Sequence, residues 1–197
     1  MIVSRDVPGI SGNSVPTARV DLHSAPETRD ARVPVLEAEQ LTKTYAGLAA
    51  VRDISFAIHP GEILGYLGPN GSGKSTTVKM LAGLLRPTSG HILFDGRRVD
   101  TDLAAYKRVI GYVPEAARLY PFLTGWEYLE LVATLREIPP RIFAAKAKSM
   151  LSSIAMYSDR NSPISSYSKG MRQRIVLIAA LMHDPRVLIL DEPFASL

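Results

Sequence analysis

The order of apolar and polar residues divides the chain into stretches of different character. Residues 1–34 carry prolines at positions 8, 16, 26 and 34 among polar residues and keep neither a strand nor a helix period. This pattern predicts a disordered N-terminal tail. Alternating apolar residues then predict strands over 35–41 and 54–58, and the apolar run over 63–67 predicts a third strand.

Apolar residues next recur at the spacing of one helical face, at Val78, Leu81, Ala82 and Leu85. We expect this helix to end at Pro87, because proline cannot continue a helix. The Asp-Gly dipeptide at 95–96 separates two short runs, 91–94 and 97–99. Such a dipeptide is typical of the two-residue turn that closes a β-hairpin.

A short helix over 102–108 and a strand over 109–113 lead into a mainly helical block, about 116–183. Thr124 is suited to cap a helix that the prolines at 139–140 terminate. The remaining helices and strand are expected over 141–157, 170–183 and 187–190. The last of these is short and wholly apolar, as in a strand buried on both faces.

Composition narrows the classes of protein to consider. With 197 residues, the chain suits one domain, or one domain with an inserted subdomain. The sequence has no cysteine, which excludes disulfides and thiolate metal sites. The formal net charge of +4 comes from scattered Lys and Arg residues, so we expect no nucleic-acid partner. No apolar run approaches the roughly 20 residues of a membrane-spanning helix.

One stretch between a predicted strand and a predicted helix carries the clearest chemistry: Gly68, Pro69, Asn70, Gly71, Ser72, Gly73, Lys74 and Ser75, followed by Thr76. It fits the phosphate-binding loop G-x-x-x-x-G-K-[ST]. Glycines let successive backbone N–H groups converge on an anion, and the helix N-terminus adds positive charge. Lys74 can reach the β- and γ-phosphates, and Ser75 can place its hydroxyl on Mg²⁺. A glycine-rich turn that matches by chance is the alternative.

Two further motifs follow. Asp191 and Glu192 end the apolar run 187–190, where a parallel sheet presents its ligands, so one carboxylate can hold Mg²⁺ and the other can polarise an attacking water. Ser168 can cap the helix after it, and Gly170 permits a close backbone approach. Taken alone, the first motif is a common pattern, since many apolar strands end in acidic residues. The second motif is either a helix end that can receive an anion or simply a capped helix.

In this order and spacing, the three motifs resemble the nucleotide-binding domain of an ATP-binding cassette (ABC) transporter over residues 35–197. The resemblance implies an α/β fold, namely a P-loop NTPase (RecA-like) core. It also implies an N-terminal antiparallel β subdomain and an inserted α-helical subdomain at about 116–183, with the C-terminal part of the fold missing. Residues 1–34 would remain a tail outside this domain.

The resemblance also implies roles for residues and for partners. Tyr45 matches the aromatic residue that stacks on adenine, and Glu115 stands where the family usually has a glutamine that senses Mg²⁺. Asp191 matches the magnesium ligand and Glu192 the catalytic base. The stretch 167–171 stands at the family's signature, which closes over the ATP of a second, head-to-tail nucleotide-binding domain.

Three residues depart from the family's pattern. Glu115 replaces glutamine, and Lys169 and Met171 replace a glycine and a glutamine of the signature, so only Ser168 and Gly170 carry over there. These substitutions resemble cassettes of multidrug and ABC-2-type exporters. The family's D-loop aspartate would follow Leu197, and its switch histidine would lie further on. We therefore expect a fragment of a longer cassette, one that binds ATP weakly and hydrolyses it poorly by itself.

The function implied is an ATP-hydrolysing subunit of an exporter, held at the cytoplasmic face of the cell membrane by a membrane-spanning partner subunit. One alternative is a truncated ATP-binding module that does not hydrolyse. Another is a soluble ABC ATPase acting on DNA or ribosomes, which tends to carry coiled coils or tandem cassettes. A kinase or GTPase would leave the signature-like stretch unexplained.

Overall fold

The computed structural model describes residues 1–4, 33–116 and 118–191. The chain divides into two compact units, residues 1–110 and 111–197. Strands and helices occur in both units, so the predicted α/β class is confirmed.

The first unit is built on an antiparallel sheet of four strands. Strands β2 (Leu36–Tyr45) and β3 (Leu48–Ile58) form a long hairpin. Strand β5 (Ser89–Phe94) pairs with the other edge of β2, and β6 (Arg97–Arg98) follows β5. β2 alternates between buried and accessible positions at its start, which explains why the sequence pattern located it.

Both hairpins turn through two consecutive residues with positive φ. Asp95 and Gly96 have φ of 49° and 70°, which confirms the predicted turn. Ala46 and Gly47 have φ of 46° and 83° and form an equivalent turn that the sequence analysis missed. Strand β3 therefore begins six residues earlier than predicted.

Two irregularities in the β2–β3 ladder explain why the alternation of this region was hard to follow. Gln40 and Asp53 both have φ of 48°. Side-chain hydroxyls bond their amides: the Gln40 N–H donates to Ser55 Oγ at 2.9 Å, and the Asp53 N–H donates to Thr42 Oγ1 at 3.0 Å. Such bulges shift the register, so one strict period does not extend through the hairpin.

The prediction of a tail over 1–34 is wrong at residues 2–4, where the chain forms β1 (Ile2–Ser4). This strand pairs antiparallel with β4 (Ile63–Leu64), and Ile2 is only 1% exposed. Three residues are too few for a period to be recognised. The other residues of the predicted tail up to 32 lie outside the described part of the chain.

Strand β4 is shorter than predicted because the chain leaves the ladder after Leu64.

Helix α1 (Lys74–Leu81) ends before Pro87, contrary to the prediction. Gly83, with φ of 66°, follows the helix, and the Leu84 N–H donates back to the Lys79 carbonyl at 2.9 Å. These features form the usual glycine C-terminal cap. A 3-10 turn (Val99–Thr101) leads to α2 (Leu103–Val109), which Asp102 caps as its Oδ1 accepts from the Ala105 N–H.

The second unit contains neighbouring strands β7 (Ile110–Val113), which starts at the boundary, and β8 (Val187–Leu190). Three helices accompany them: α3 (Gly125–Leu135), α4 (Pro140–Ser153) and α5 (Lys169–Leu181). They surround a core that includes Leu129, Phe143, Leu151, Ile164, Ile175 and Ile178.

The ends of these helices correct several predictions. Thr124 caps α3 as expected, in a capping box with Glu127. Helix α3 ends at Leu135, ahead of the two prolines, and Pro140 is instead the first residue of α4, where its missing N–H costs nothing. Helices α4 and α5 end four and two residues earlier than predicted.

Within the described residues, no helix has the length and apolar character needed to cross a membrane.

Candidate functional site

The predicted phosphate loop lies between β4 and α1 in the first unit. Gly71 and Gly73 have φ of 81° and 86°, a left-handed conformation that favours glycine. The Ser72 N–H donates to the Pro69 carbonyl at 3.2 Å and closes a tight turn inside the loop. The glycines at these two positions therefore have the conformational role predicted from the sequence.

Gly73 requires glycine for a second reason. A Cβ atom at this position would collide with the carbonyl oxygen of Ala50 and come within 2.9 Å of Val51 Cγ2. The loop is thus pressed against β3 just where the helix begins. Gly71 has no atom within 4 Å of the corresponding position, so only its φ is special.

The start of α1 presents backbone donors that the helix does not use. The first bond into the helix runs from the Thr77 N–H to the Gly73 carbonyl at 2.9 Å. The N–H groups of Lys74, Ser75 and Thr76 therefore have no acceptor within the helix, and no side chain caps this end. Three consecutive donors at a helix N-terminus are well suited to an anion.

The side chain of Lys74 folds back over the loop. Its Nζ donates to the carbonyl oxygens of Gly68 and Pro69, at 2.8 and 3.0 Å. An ammonium group is thereby held against the first residues of the loop. This arrangement concentrates positive charge where phosphate is expected.

Tyr45 lies at the end of β2 with its side chain half exposed, at 49%. The Nζ atom of Lys43 lies 5.4 Å from the centroid of its ring and also donates to the Arg86 carbonyl at 2.8 Å. The ring is therefore accessible and lies within cation–π distance of Lys43. That Tyr45 stacks on adenine remains a prediction.

In the second unit, Asp191 lies directly after β8, as predicted, and is 4% exposed. Its N–H donates to the Val113 carbonyl at 2.9 Å, which places it beside the end of β7. Burial raises the pKa of the Tyr112 hydroxyl, and the negative charges of Asp191 and Glu115 raise this pKa further. The charges of these two carboxylates therefore act on the same hydroxyl. Glu192 lies outside the described residues.

Ser168 caps α5, since its Oγ accepts from the Met171 N–H at 3.2 Å. A Cβ atom at Gly170 would meet nothing within 4 Å. Within the part of the chain that the structure describes, nothing closely approaches Gly170, and the space there is open to another molecule.

Tyr167, which precedes this cap, is a buried residue that sequence reasoning did not identify as part of the core. Its hydroxyl donates to the Asp159 carbonyl at 2.7 Å, and its own carbonyl accepts from Arg172 Nε at 2.9 Å. Burial raises the pKa of the Tyr167 hydroxyl. Tyr167 and Arg172 thus hold the start of α5 in place, a role that polar or aromatic pattern alone does not reveal.

Among the residues that the structure describes, no cluster of three or more His, Cys, Asp or Glu side chains could hold a metal ion. Mg²⁺ commonly takes only one or two carboxylates and completes its shell with water and substrate phosphate. Asp191 in the second unit and Ser75 in the first each carry an oxygen ligand of the type that Mg²⁺ binds.

Comparison with known proteins gives a consistent result. The sequence model of the family described as ABC transporter matches residues 51–195. Among curated proteins, the linearmycin resistance ATP-binding protein LnrL of Bacillus subtilis is 38% identical over 159 residues, covering 81% of this chain and 51% of the relative. The spermidine/putrescine import ATP-binding protein PotA of Clostridium novyi is 32% identical over 163 residues, covering 83% of this chain and 47% of the relative.

Solved structures agree with the sequence matches. A structure described as the ATP-binding subunit of an ABC transporter superposes with a TM-score of 0.76 at 31% identity, covering 82% of this chain and 68% of that one. The chain spans about half the length of the curated relatives it matches.

Proposed function

Since this chain belongs to the ABC transporter family of ATP-binding proteins, we propose that it binds MgATP on the loop 68–76 and hydrolyses it to drive a membrane transporter. The observation that carries the proposal is the start of α1. There, three backbone donors lie outside the helical bonding pattern next to a left-handed Gly73, and the ammonium of Lys74 is held by the same loop. Such a concentration of donors favours an anionic ligand over a neutral one.

Lys74 has a specific task in this proposal. Its bonds to the Gly68 and Pro69 carbonyls keep the ammonium near the loop before nucleotide arrives. Phosphate oxygens carry full negative charge and are stronger acceptors than these carbonyls. The ammonium therefore turns to the β- and γ-phosphates on binding, where it stabilises charge that develops as the γ-phosphoryl group is transferred.

The remaining roles follow from the family. Tyr45 stacks on adenine, while Ser75 and Asp191 supply ligands for Mg²⁺, with Glu115 acting on it through water. When bound, Mg²⁺ neutralises negative charge on the phosphate oxygens. Glu192 accepts the proton of the attacking water. Burial of Asp191 suits a carboxylate whose position must be fixed.

The assembly proposed is a head-to-tail pair of nucleotide-binding domains attached to a membrane-spanning subunit, on the cytoplasmic side of the cell membrane. Ser168 and Gly170 of one domain then contact the ATP held by the other. The open space beside Gly170 supports this part of the proposal, because a second molecule can approach the backbone there.

Export is the proposed direction of transport. It is supported by Lys169 and Met171 in the signature and by the similarity to a linearmycin resistance protein. The similarity to a spermidine/putrescine import protein favours import instead. The relatives include both a resistance protein and an import protein. Our choice of export therefore rests on Lys169 and Met171 in the signature.

A module that binds ATP without hydrolysing it is the second candidate, because the features observed at the start of α1 concern the binding of an anion and not its turnover. Equilibrium binding of MgATP to the 197-residue protein, followed by a phosphate-release assay, separates the two. Saturable binding that Lys74→Met weakens by roughly 10- to 100-fold supports the nucleotide site. Turnover that Glu192→Gln removes supports hydrolysis. Binding without turnover supports the module. Absence of saturable ATP binding would overturn both.

A further inference from the structure

A cavity of about 730 Å³ lies in the first unit, away from the phosphate loop. It is bounded by the end of α1, by β5, by the 3-10 turn and by the start of α2. None of its lining residues belongs to the loop 68–76, which lies at the opposite end of α1. Its volume is within the range of pockets that bind small organic ligands, roughly 300 to 1,000 Å³.

The walls of this cavity are apolar and largely fixed. Met80, Ile92 and Val99 line it and are each at most 7% exposed. Leu84 and Leu103 also line it but are 56% and 39% exposed, so they present apolar surface at the opening. Such an arrangement favours a ligand with an apolar body that enters from solvent.

The charged groups of the lining are predominantly basic. Arg86, His91 and Arg98 line the cavity, whereas Asp100 is the sole carboxylate among its lining residues. Asp100 is already engaged: its Oδ1 and Oδ2 accept from Arg98 Nε and Nη2, at 3.0 and 2.7 Å. The carboxylate therefore repels an incoming anion less than a free one would.

The same ion pair fixes the guanidinium of Arg98. With Nε and Nη2 held by Asp100, Nη1 remains at the edge of the cavity, 3.5 Å from His91 Nε2. Arg86 supplies a second cation, and its backbone is anchored because its carbonyl accepts from Lys43 Nζ. The guanidinium of Arg98, which Asp100 already holds, loses less conformational entropy on binding than a side chain without such a partner would.

We propose that this cavity is a binding site for a small amphipathic anion, with the apolar body against Met80, Ile92 and Val99 and the anionic group at Arg98 and Arg86. Carboxylate, sulfate and phosphate groups all satisfy this chemistry. The site is independent of the nucleotide site proposed above, so either can fail without the other.

Decanoate is a suitable probe, with decyltrimethylammonium and decanol as matched probes of opposite and zero charge. Titration calorimetry on the 197-residue protein should show saturable binding of decanoate at one site. Both other probes should bind at least roughly tenfold more weakly, because neither carries an anionic group that can accept a charge-assisted hydrogen bond from a guanidinium. Arg98→Gln should weaken decanoate binding by a similar factor. Arg97→Gln, a change on the same strand but outside the lining, should not.

A second pair of variants tests the cavity itself. Leu84→Trp fills the opening from a half-exposed position that tolerates a larger side chain, and it should abolish decanoate binding. Leu135→Trp places the same side chain at an exposed leucine of the second unit and should leave binding intact. Equal binding of all three probes, no saturable binding of decanoate, or binding unchanged in both Arg98→Gln and Leu84→Trp would overturn the proposal.

Discussion

The ammonium group of Lys74 donates to the carbonyl oxygen of Gly68 at 2.8 Å, across the loop that joins β4 to α1. A lysine that bonds its own loop holds positive charge there before any ligand binds. It also closes the loop over carbonyl groups that would otherwise repel phosphate. The pair therefore connects the shape of the loop with its affinity for an anion.

Lys74→Met should raise the dissociation constant for ATP by roughly 10- to 100-fold, because it removes a charged donor from the phosphates. The thermal midpoint should change little, since the side chain is only half buried and bonds just two carbonyls of its own loop. Lys79→Met, at an exposed position of the same helix, is the control and should bind ATP normally. Equal affinities of the two variants would contradict the role given to Lys74.

Gly73→Ala should destabilise the protein more than Gly71→Ala. Both glycines have left-handed φ, which costs an alanine about 1–2 kcal/mol. Only at Gly73 does the new methyl group also meet Ala50 and Val51, which adds about 1–3 kcal/mol. Urea unfolding of the two variants measures the difference. Identical unfolding free energies would show that the approach of the loop to β3 can relax without cost.

Tyr45→Ala should weaken ATP binding by roughly 2- to 10-fold, the size of an aromatic stacking contact. Binding of inorganic tripolyphosphate should stay unchanged, because the phosphate loop is untouched. Leu48→Ala, directly opposite in the hairpin and 79% exposed, controls for damage to the turn. If tripolyphosphate binding fell in parallel, the effect would be on the fold and the adenine contact would be disproved.

Thr124→Ala should lower the free energy of unfolding by about 1 kcal/mol, the usual contribution of an N-cap. Thr124 Oγ1 accepts from the Glu127 N–H, and Glu127 Oε2 accepts from the Thr124 N–H and hydroxyl. Thr134→Ala in the same helix removes a hydroxyl that bonds only to the preceding turn, and it should be close to neutral. Chemical denaturation at pH 7 measures the free energy of unfolding of the two variants.

Because of the same capping box, the free energy of unfolding should depend on pH in the acidic range. Hydrogen bonds from the backbone and side chain of Thr124 lower the pKa of Glu127 below its ordinary value of 4.5. A carboxyl whose pKa is lower in the folded state stabilises the protein above that ordinary value and loses this contribution as pH falls through the lowered pKa. Glu127→Gln and Thr124→Ala should both flatten the loss of stability below about pH 4.5. If both variants kept the pH dependence of stability of the original protein, the role given to the capping box would be contradicted.

Much of this architecture follows from local sequence. The turn at 95–96, the cap at Thr124 and the cap at Ser168 depend on side chains within three residues, so their chemistry is visible in the sequence. The phosphate loop is likewise local, and its glycines have the backbone conformations that the motif requires. The ABC transporter family was identified from the sequence for the same reason.

What the sequence did not reveal depends on distant partners. Gly73 requires glycine partly because of Ala50, and Tyr167 is buried because its hydroxyl reaches Asp159 and its ring packs in a helical core. Strand β1 was missed because only its pairing with β4 makes it a strand. No periodic pattern in a short window contains such information.

The pairing of β1 with β4 has a consequence for the order of assembly. Ile2 meets Leu64, about 60 residues along the chain, whereas β2 and β3 meet across a two-residue turn. Contacts close in sequence form first, because closing a long loop costs more chain entropy. The hairpin therefore assembles early and β1 docks late, with few bonds to retain it. Its amides should be among the first to exchange with solvent, well before global unfolding.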